Sequence, residues 1–457
     1  MTYSSFNKYN IWQEGELELS EKKFNRRKFL KAAIGSGLLI ASGNLLSGCE
    51  LTADIDKPPS YNTDNKIKDL DINYLRQIVT HDPATSRCIM WKTDDILRTP
   101  EVEVKISDSD EIKTFTAVDC SFTDDDHIIN QYSAKIEGLE VNKNYEYRIV
   151  EGNHCSEWHL LKTSNNENFK ALIFPDSQCG DYKVWENVAK DAFARNPDAA
   201  FFVNIGDLVD NGEDWTQWRS WFQGAADFLD KIICVPMLGN HECYNRQWQI
   251  RQPIAYLNYF DLPENGSEDF KRRYYSFDFG DVHFAIFDSQ WYELDEVGGD
   301  GDKLINEQKE WLKRDISESQ KKWKIVLTHK DVLQYRINGR PERLEGFSDV
   351  GIEFMPLFDE LNVDIVFTGH LHTYRDRGHI YNFEHNPQGA LYILTGNAGD
   401  VRYPGLWIDH ELDLVKAPQP EIDNYLTMEV SSDKIIVKCF LYDGTEIDNV
   451  VVEKYSN

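Results

Sequence analysis

Basic residues are scarce in this sequence: 49 Lys and Arg stand against 78 Asp and Glu, a formal charge of −29 at pH 7. A nucleic-acid duplex is bound through a basic face that neutralises phosphates, so this balance argues against DNA or RNA as partner and reads first as solubility. The eight cysteines include no CxxC pair, which removes zinc ribbons and dense disulfide frameworks. No segment repeats and none is of low complexity. No apolar run is long and unbroken enough to span a bilayer. Apolar residues nonetheless make up 41% and aromatics 13%, ample for packed cores, and 457 residues are too many for one ordinary core. Two or three domains are expected.

Residues 1–48 read as a leader and not as fold. "NRRKFLKAAIGSGLLIASGNLLSGC" has a basic start, a short Gly/Ser-interrupted apolar run and small residues before Cys49. Arg26 and Arg27 followed by "KFLK" resemble a bacterial twin-arginine signal, and "LSGC" resembles a lipobox whose cysteine is lipidated. The expectation is an exported bacterial protein anchored to a membrane by a lipid on Cys49, on the periplasmic or cell-surface side. Residues 49–68, polar and containing "KPPS", read as a flexible tether. Over 69–165 about seven short strands separated by turn residues, such as "RCIMWKT" and "NYEYRIVEG", predict an antiparallel β-sandwich. From 168 to 400 apolar strands alternate with helical patterns, predicting an α/β domain with a largely buried sheet. The tail, 401–457, is a β meander with a turn at Asp443-Gly444.

Chemistry concentrates where strands of the α/β region stop. "VPMLGNHE" is a buried strand that delivers Asn240, His241 and Glu242 side by side, and other strands behave alike. "FPDSQ" ends in Asp176 and Gln178, "IGDLVDNG" in Asp207 and Asp210, "LTHK" in His329, and "FTGHLHTY" in His370 and His372. In α/β sheets, sites form at the carboxyl ends of strands, so all five ends can meet in one crevice. Carboxylates, imidazoles and an amide form a mixed oxygen and nitrogen donor set suited to Mn, Fe or Zn, with ligands enough for two ions. Singly, "GDxxD" or a lone His329 is weak. "GNHE" and "GHLH" are stronger, because paired polar residues closing apolar strands are unfavourable without a partner.

This series resembles the calcineurin-like metallophosphoesterase superfamily. The preceding sandwich, with "QIVTHDPATSRCIMW", and "YSFDFGDVHFAIFDS" in the next domain are similar to purple acid phosphatases and their fibronectin-III-like N-terminal domain. The resemblance implies an α/β metallophosphoesterase domain built as a β-sandwich flanked by helices, with a C-terminal β extension packed on it. It implies a hydrolase of small phosphate esters with two metal ions and a bridging hydroxide nucleophile. Asp207 would bridge both ions, Asp176 and His372 would bind the first, and Asn240, His329 and His370 the second. His241 would face the scissile ester and protonate the leaving oxygen. Two positions depart from the pattern. Purple acid phosphatases have a colour-giving Tyr where this chain has Asp210, so a colourless centre is expected, with Asp210 holding His241 in its tautomer. Gln178 stands where many superfamily members have a His ligand, and it offers only one carbonyl oxygen.

Monoester hydrolysis is the leading expectation; a nucleotide or other phosphodiesterase and a surface binding module with a degenerate metal site remain open. Trp215, Trp218 and Trp221 form either an aromatic wall beside the site or the packed face of a helix. Cys179 and Cys243 each flank a metal-loop motif, as a local staple or as two unrelated thiols.

Overall fold

The computed structural model describes residues 66–454. The leader, Cys49 and the tether through residue 65 lie outside the described residues. Among those described, no helix is long and apolar enough to cross a membrane.

The N-terminal β-sandwich follows from alternation. In Pro100–Ile106, Val102 and Val104 point into a core shared with Trp91, Tyr132, Tyr147 and Ile149. The tether is shorter than predicted, because Ile67–Lys68 already pairs with His154–Cys155. Both its side chains are exposed, so main-chain bonds alone make it a strand and its sequence carries no apolar signal.

The sandwich is also less separate than two successive domains imply. Its strand Asn73–Ile78 pairs in parallel with Ile233–Pro236 of the α/β domain, Gln77 opposite Ile233 and Ile78 opposite Cys234. A single sheet of 11 strands therefore crosses the boundary. The fully buried Arg76 fastens the same junction, donating from Nε (3.0 Å) and Nη2 (2.6 Å) to the carbonyl of Tyr259.

Within the α/β domain two sheets face each other. Phe169–Phe174, Phe201–Asn204 and Ile233–Pro236 run parallel in the first. Val282–Ile286, Trp323–Leu327, Ile365–Thr368 and Ala390–Thr395 run parallel in the second. Phe201 of the first sheet meets Phe277 and Phe284 of the second edge to face, at 5.7 and 5.5 Å. Helices cover the outsides: Lys183–Arg195 and Trp215–Gly224 on one, Gly301–Glu318 and Asp349–Glu360 on the other. The C-terminal meander is integral, since Asn424–Val430 pairs antiparallel with Phe169–Phe174.

Trp218 and Trp221 are fully buried, and Trp221 stacks on Trp185 at 5.9 Å, so these two are core and not a wall. Trp215 instead stacks on His127 of the sandwich at 4.1 Å. The helix that starts at Trp215 ends at Gly224, where a Cβ would lie 2.5 Å from the Trp185 ring. Cys179 and Cys243 are free thiols.

One buried charge makes the fold sensitive to alkali. His283 donates from Nδ1 to Asp278 (2.8 Å) and from Nε2 to Asp315 (3.0 Å), with Lys321 4.0 Å beyond Asp278. Burial opposes the charge, yet the two carboxylates raise the pKa from 6.5 to about 9. The folded pKa exceeds the unfolded one, so this stabilisation is complete below pH 6.5 and is lost as pH rises through 9. It amounts to on the order of 3 kcal/mol. Urea midpoints should fall between pH 6.5 and 9 in the native protein and change much less in His283→Gln; parallel curves would refute this role.

Candidate metal centre

The carboxyl ends of the parallel strands in both sheets open on one crevice, and the residues singled out in the sequence meet there. Phe169–Phe174 delivers Asp176 and Gln178, Phe201–Asn204 delivers Asp207 and Asp210, and Ile233–Pro236 delivers Asn240 and His241. From the second sheet Trp323–Leu327 delivers His329, and Ile365–Thr368 delivers His370 and His372. Two ligand groups form. One joins Asp176, Asp207 and His372, the other Asp207, His329 and His370, with ligand atoms within 4.8 Å of one another in each. Asp207 belongs to both.

The hydrogen bonds show what these groups are built to hold. His329 Nδ1 lies 2.7 Å from the carbonyl of Ile205, and His372 Nδ1 lies 2.8 Å from that of Val401. A carbonyl only accepts, so each Nδ1 carries the proton and each Nε2 is left as a ligand atom. His329 Nε2 then faces Asp207 Oδ2 and Asn240 Oδ1, both at 3.1 Å, and His372 Nε2 faces Asp176 Oδ2 at 3.2 Å. Lone pairs converging on lone pairs in a buried crevice repel unless a cation lies among them. Asp207 Oδ2 and Gln178 Oε1, both buried, accept no hydrogen bond. These residues therefore fit a pair of metal ions.

Backbone geometry is bent to the same end. Asp207, His370 and His372 have φ of +47°, +77° and +51°, a region that costs side chains of this size about 1–3 kcal/mol each and is tolerated where the surroundings compel it. Gly239 is required because a Cβ there would lie 2.1 Å from Asp207 Oδ1.

His241 sits at the mouth, slightly exposed. Its Nδ1 donates to the main-chain carbonyl of Asp210 at 2.8 Å, while the Asp210 carboxylate stands 3.6 Å away. The sequence reading gave the tautomer to the Asp210 side chain; the structure gives it to the backbone, whose carbonyl reaches closer. Nε2 is thereby turned to the crevice, 4.0 Å from Asp207 Oδ2 and 3.4 Å from the Gln178 amide. Burial works against protonation of His241, but the Asp207 and Asp210 carboxylates outweigh it and raise the pKa above the ordinary histidine value.

One functional residue was visible in the sequence but not assigned a role. Glu242, fully buried, accepts from the amides of Asp207 (3.0 Å) and Gly239 (2.8 Å) with Oε2, and of Leu208 (2.8 Å) and Val209 (3.3 Å) with Oε1. It ties two ligand loops together. Burial, then the charge of Asp207, pushes its pKa up to about 7 against the pull of those amides. An amide cannot accept from all four donors, so Glu242→Gln should weaken metal binding about 10- to 100-fold in a chelator titration. An unchanged titration would deny it this role.

Residues 153–374 match the calcineurin-like phosphoesterase family, and residues 73–163 match the purple acid phosphatase N-terminal domain. Purple acid phosphatase 23 of Arabidopsis thaliana is 24% identical over 303 residues, 58% of this chain and 62% of that protein. Purple acid phosphatase 15 of the same plant is 28% identical over 208 residues, covering 45% and 36%. Acid phosphatase type 7 of Mus musculus is 24% identical over 300 residues, covering 57% and 62%. The chain thus spans less than two thirds of these curated relatives' length. Among solved structures, purple acid phosphatase PPD1 from yellow lupin (Lupinus luteus) seeds aligns with a TM-score of 0.67 at 16% identity, covering 84% of this chain and 74% of that one. A structure of PhoD aligns with a TM-score of 0.59 at 12% identity, covering 83% and 90%. At these identities the two structures speak to the fold.

Proposed function

Because the chain carries a calcineurin-like phosphoesterase domain behind a purple acid phosphatase N-terminal domain, we propose that it hydrolyses small phosphate esters, monoesters ahead of diesters, at a centre of two transition-metal ions. The observation that carries this reading is the convergence of two ligand groups on the shared Asp207. Asp176, Asp207 and His372, with Gln178 beside them, would hold one ion; Asp207, His329, His370 and Asn240 would hold the other. When bound, the ions would supply positive charge that lowers the pKa of water and stabilises charge on the phosphoryl oxygens.

The protein's own residues do the rest. His241 presents Nε2 to the crevice, where it would protonate the leaving oxygen. The Asp210 carbonyl accepts from Nδ1–H and so keeps Nε2 turned to the crevice. The test is turnover of p-nitrophenyl phosphate and of its bis-ester by protein loaded with Fe, Mn or Zn. Faster hydrolysis of the monoester is expected; hydrolysis of the bis-ester alone would favour a phosphodiesterase, and no turnover with any metal would favour a binding module.

The same reading places the protein outside a bacterial cytoplasm, held by a lipid on Cys49. None of the seven described cysteines is disulfide-bonded and six are buried, so the fold requires no oxidising compartment. That suits an export route carrying folded proteins. Cys49→Ser should release active protein from membranes, and mass spectrometry finding an unmodified mature N-terminus elsewhere would overturn the anchor.

A further inference from the structure

We propose that Trp248 is a stacking platform for leaving groups that carry a flat aromatic ring, such as a nucleoside through its base, and that the N-terminal domain braces the loop presenting it. This rests on the hydrolase reading above and names the substrate class for that same site.

The loop begins right after His241. Tyr244 bridges Ile250, the amide of Asn245 donates to Gln249 O (2.9 Å), and that of Arg251 to Cys243 O (2.8 Å). The Asn245 side-chain oxygen accepts from the amides of Gln247 (2.9 Å) and Gln249 (2.8 Å), closing the tip. Trp248 sits there with φ of +62°, a backbone state that a bulky side chain rarely adopts and that strain-bearing functional loops retain. Its ring stands perpendicular to His241, centroids 5.9 Å apart, and Tyr244 does the same at 5.4 Å. Trp248 is only partly buried. On the reading above His241 Nε2 meets the leaving oxygen, which brings the group that oxygen carries within reach of these rings. An indole gives area and a π face, which every base can match.

The brace comes from the turn between Phe122–Asp124 and His127–Ile136, whose Asp125 and Asp126 both have positive φ (+52° and +51°). Asp124 takes the Arg251 guanidinium with both oxygens, at 2.7 and 2.5 Å. Asp125, its side chain 2% exposed, pairs with Arg246 and accepts from the amide of Trp215 at 3.3 Å. His127 stacks on the Trp215 ring at 4.1 Å and 11°. Arginines 246 and 251 flank Trp248 in sequence, so two adjacent carboxylates of the sandwich hold both sides of the loop. A domain that merely linked the catalytic unit to its tether would not need them.

The experiment uses the full, metal-loaded chain with adenosine 5′-monophosphate and glycerol 3-phosphate, both esters of alkyl alcohols, so leaving-group acidity largely cancels. The readout is the ratio of the two kcat/KM values. Trp248→Ala should lower that ratio roughly 5- to 150-fold, the range expected for one base stacked on an aromatic ring, mainly through KM for the nucleotide. Trp248→Phe should keep most of it. The Asp124→Asn, Asp125→Asn double variant should shift the ratio in the same direction, whereas a purely structural defect would slow both substrates alike. An unchanged ratio in Trp248→Ala overturns the platform. A lowered ratio there with an unchanged one in the double variant overturns the brace. A native protein that hydrolyses neither ester overturns the hydrolase reading and this inference with it, a pattern distinct from the other two.

Discussion

Asp207→Asn should lose metal and activity together. Asp207 is shared by both ligand groups, and its Oδ2 faces His329 Nε2 at 3.1 Å while accepting no hydrogen bond. An asparagine keeps the shape and the Oδ1 that accepts from the amide of His241 (2.8 Å), but removes the charge. The ions' contribution to the transition state is several kcal/mol, so turnover should fall at least about 10³-fold. Metal analysis should fall with it while the far-UV circular dichroism stays native. Full activity with full metal content would remove Asp207 from the centre.

His241→Ala should separate chemistry from metal binding. This imidazole is outside both ligand groups, so metal content should remain near normal. Turnover should drop about 10²- to 10⁴-fold, the size of a lost general acid. The loss should shrink for aryl esters, whose leaving oxygens need little protonation. Asp210→Asn should behave quite differently from His241→Ala. The main-chain carbonyl, at 2.8 Å, keeps the ring oriented whatever the side chain is, so the loss should stay below about tenfold. If Asp210→Asn is as damaging as His241→Ala, the carboxylate and not the carbonyl is the working partner. If His241→Ala loses its metals, the imidazole is a ligand and its role as acid is wrong.

The site was legible because its ligands are local punctuation: apolar strands that stop at "GD", "GNHE", "TH" and "GHLH" announce themselves within a few residues. What orients those ligands was not. The carbonyls of Ile205 and Val401 set two tautomers, and any residue type there would provide one. Asp210 misled for the same reason, since its side chain drew attention while its backbone makes the shorter contact. Fold class came from periodicity, whereas the pairing of Asn73–Ile78 with Ile233–Pro236 joins residues 156 positions apart and leaves no periodic trace. The clamp of Arg251 on Asp124 spans 127 positions and is equally silent. Helix Asp349–Glu360 holds Pro356 inside it, a residue that breaks helical patterns in sequence and is overruled by burial of Phe354 and Phe358.

Anomalous scattering from crystals grown with manganese or zinc tests the shared-carboxylate centre most directly. Two peaks are expected, both on the Asp207 carboxylate, one beside Asp176 and His372 and the other beside His329, His370 and Asn240. A single peak, or two that leave Asp207 unligated, would contradict it.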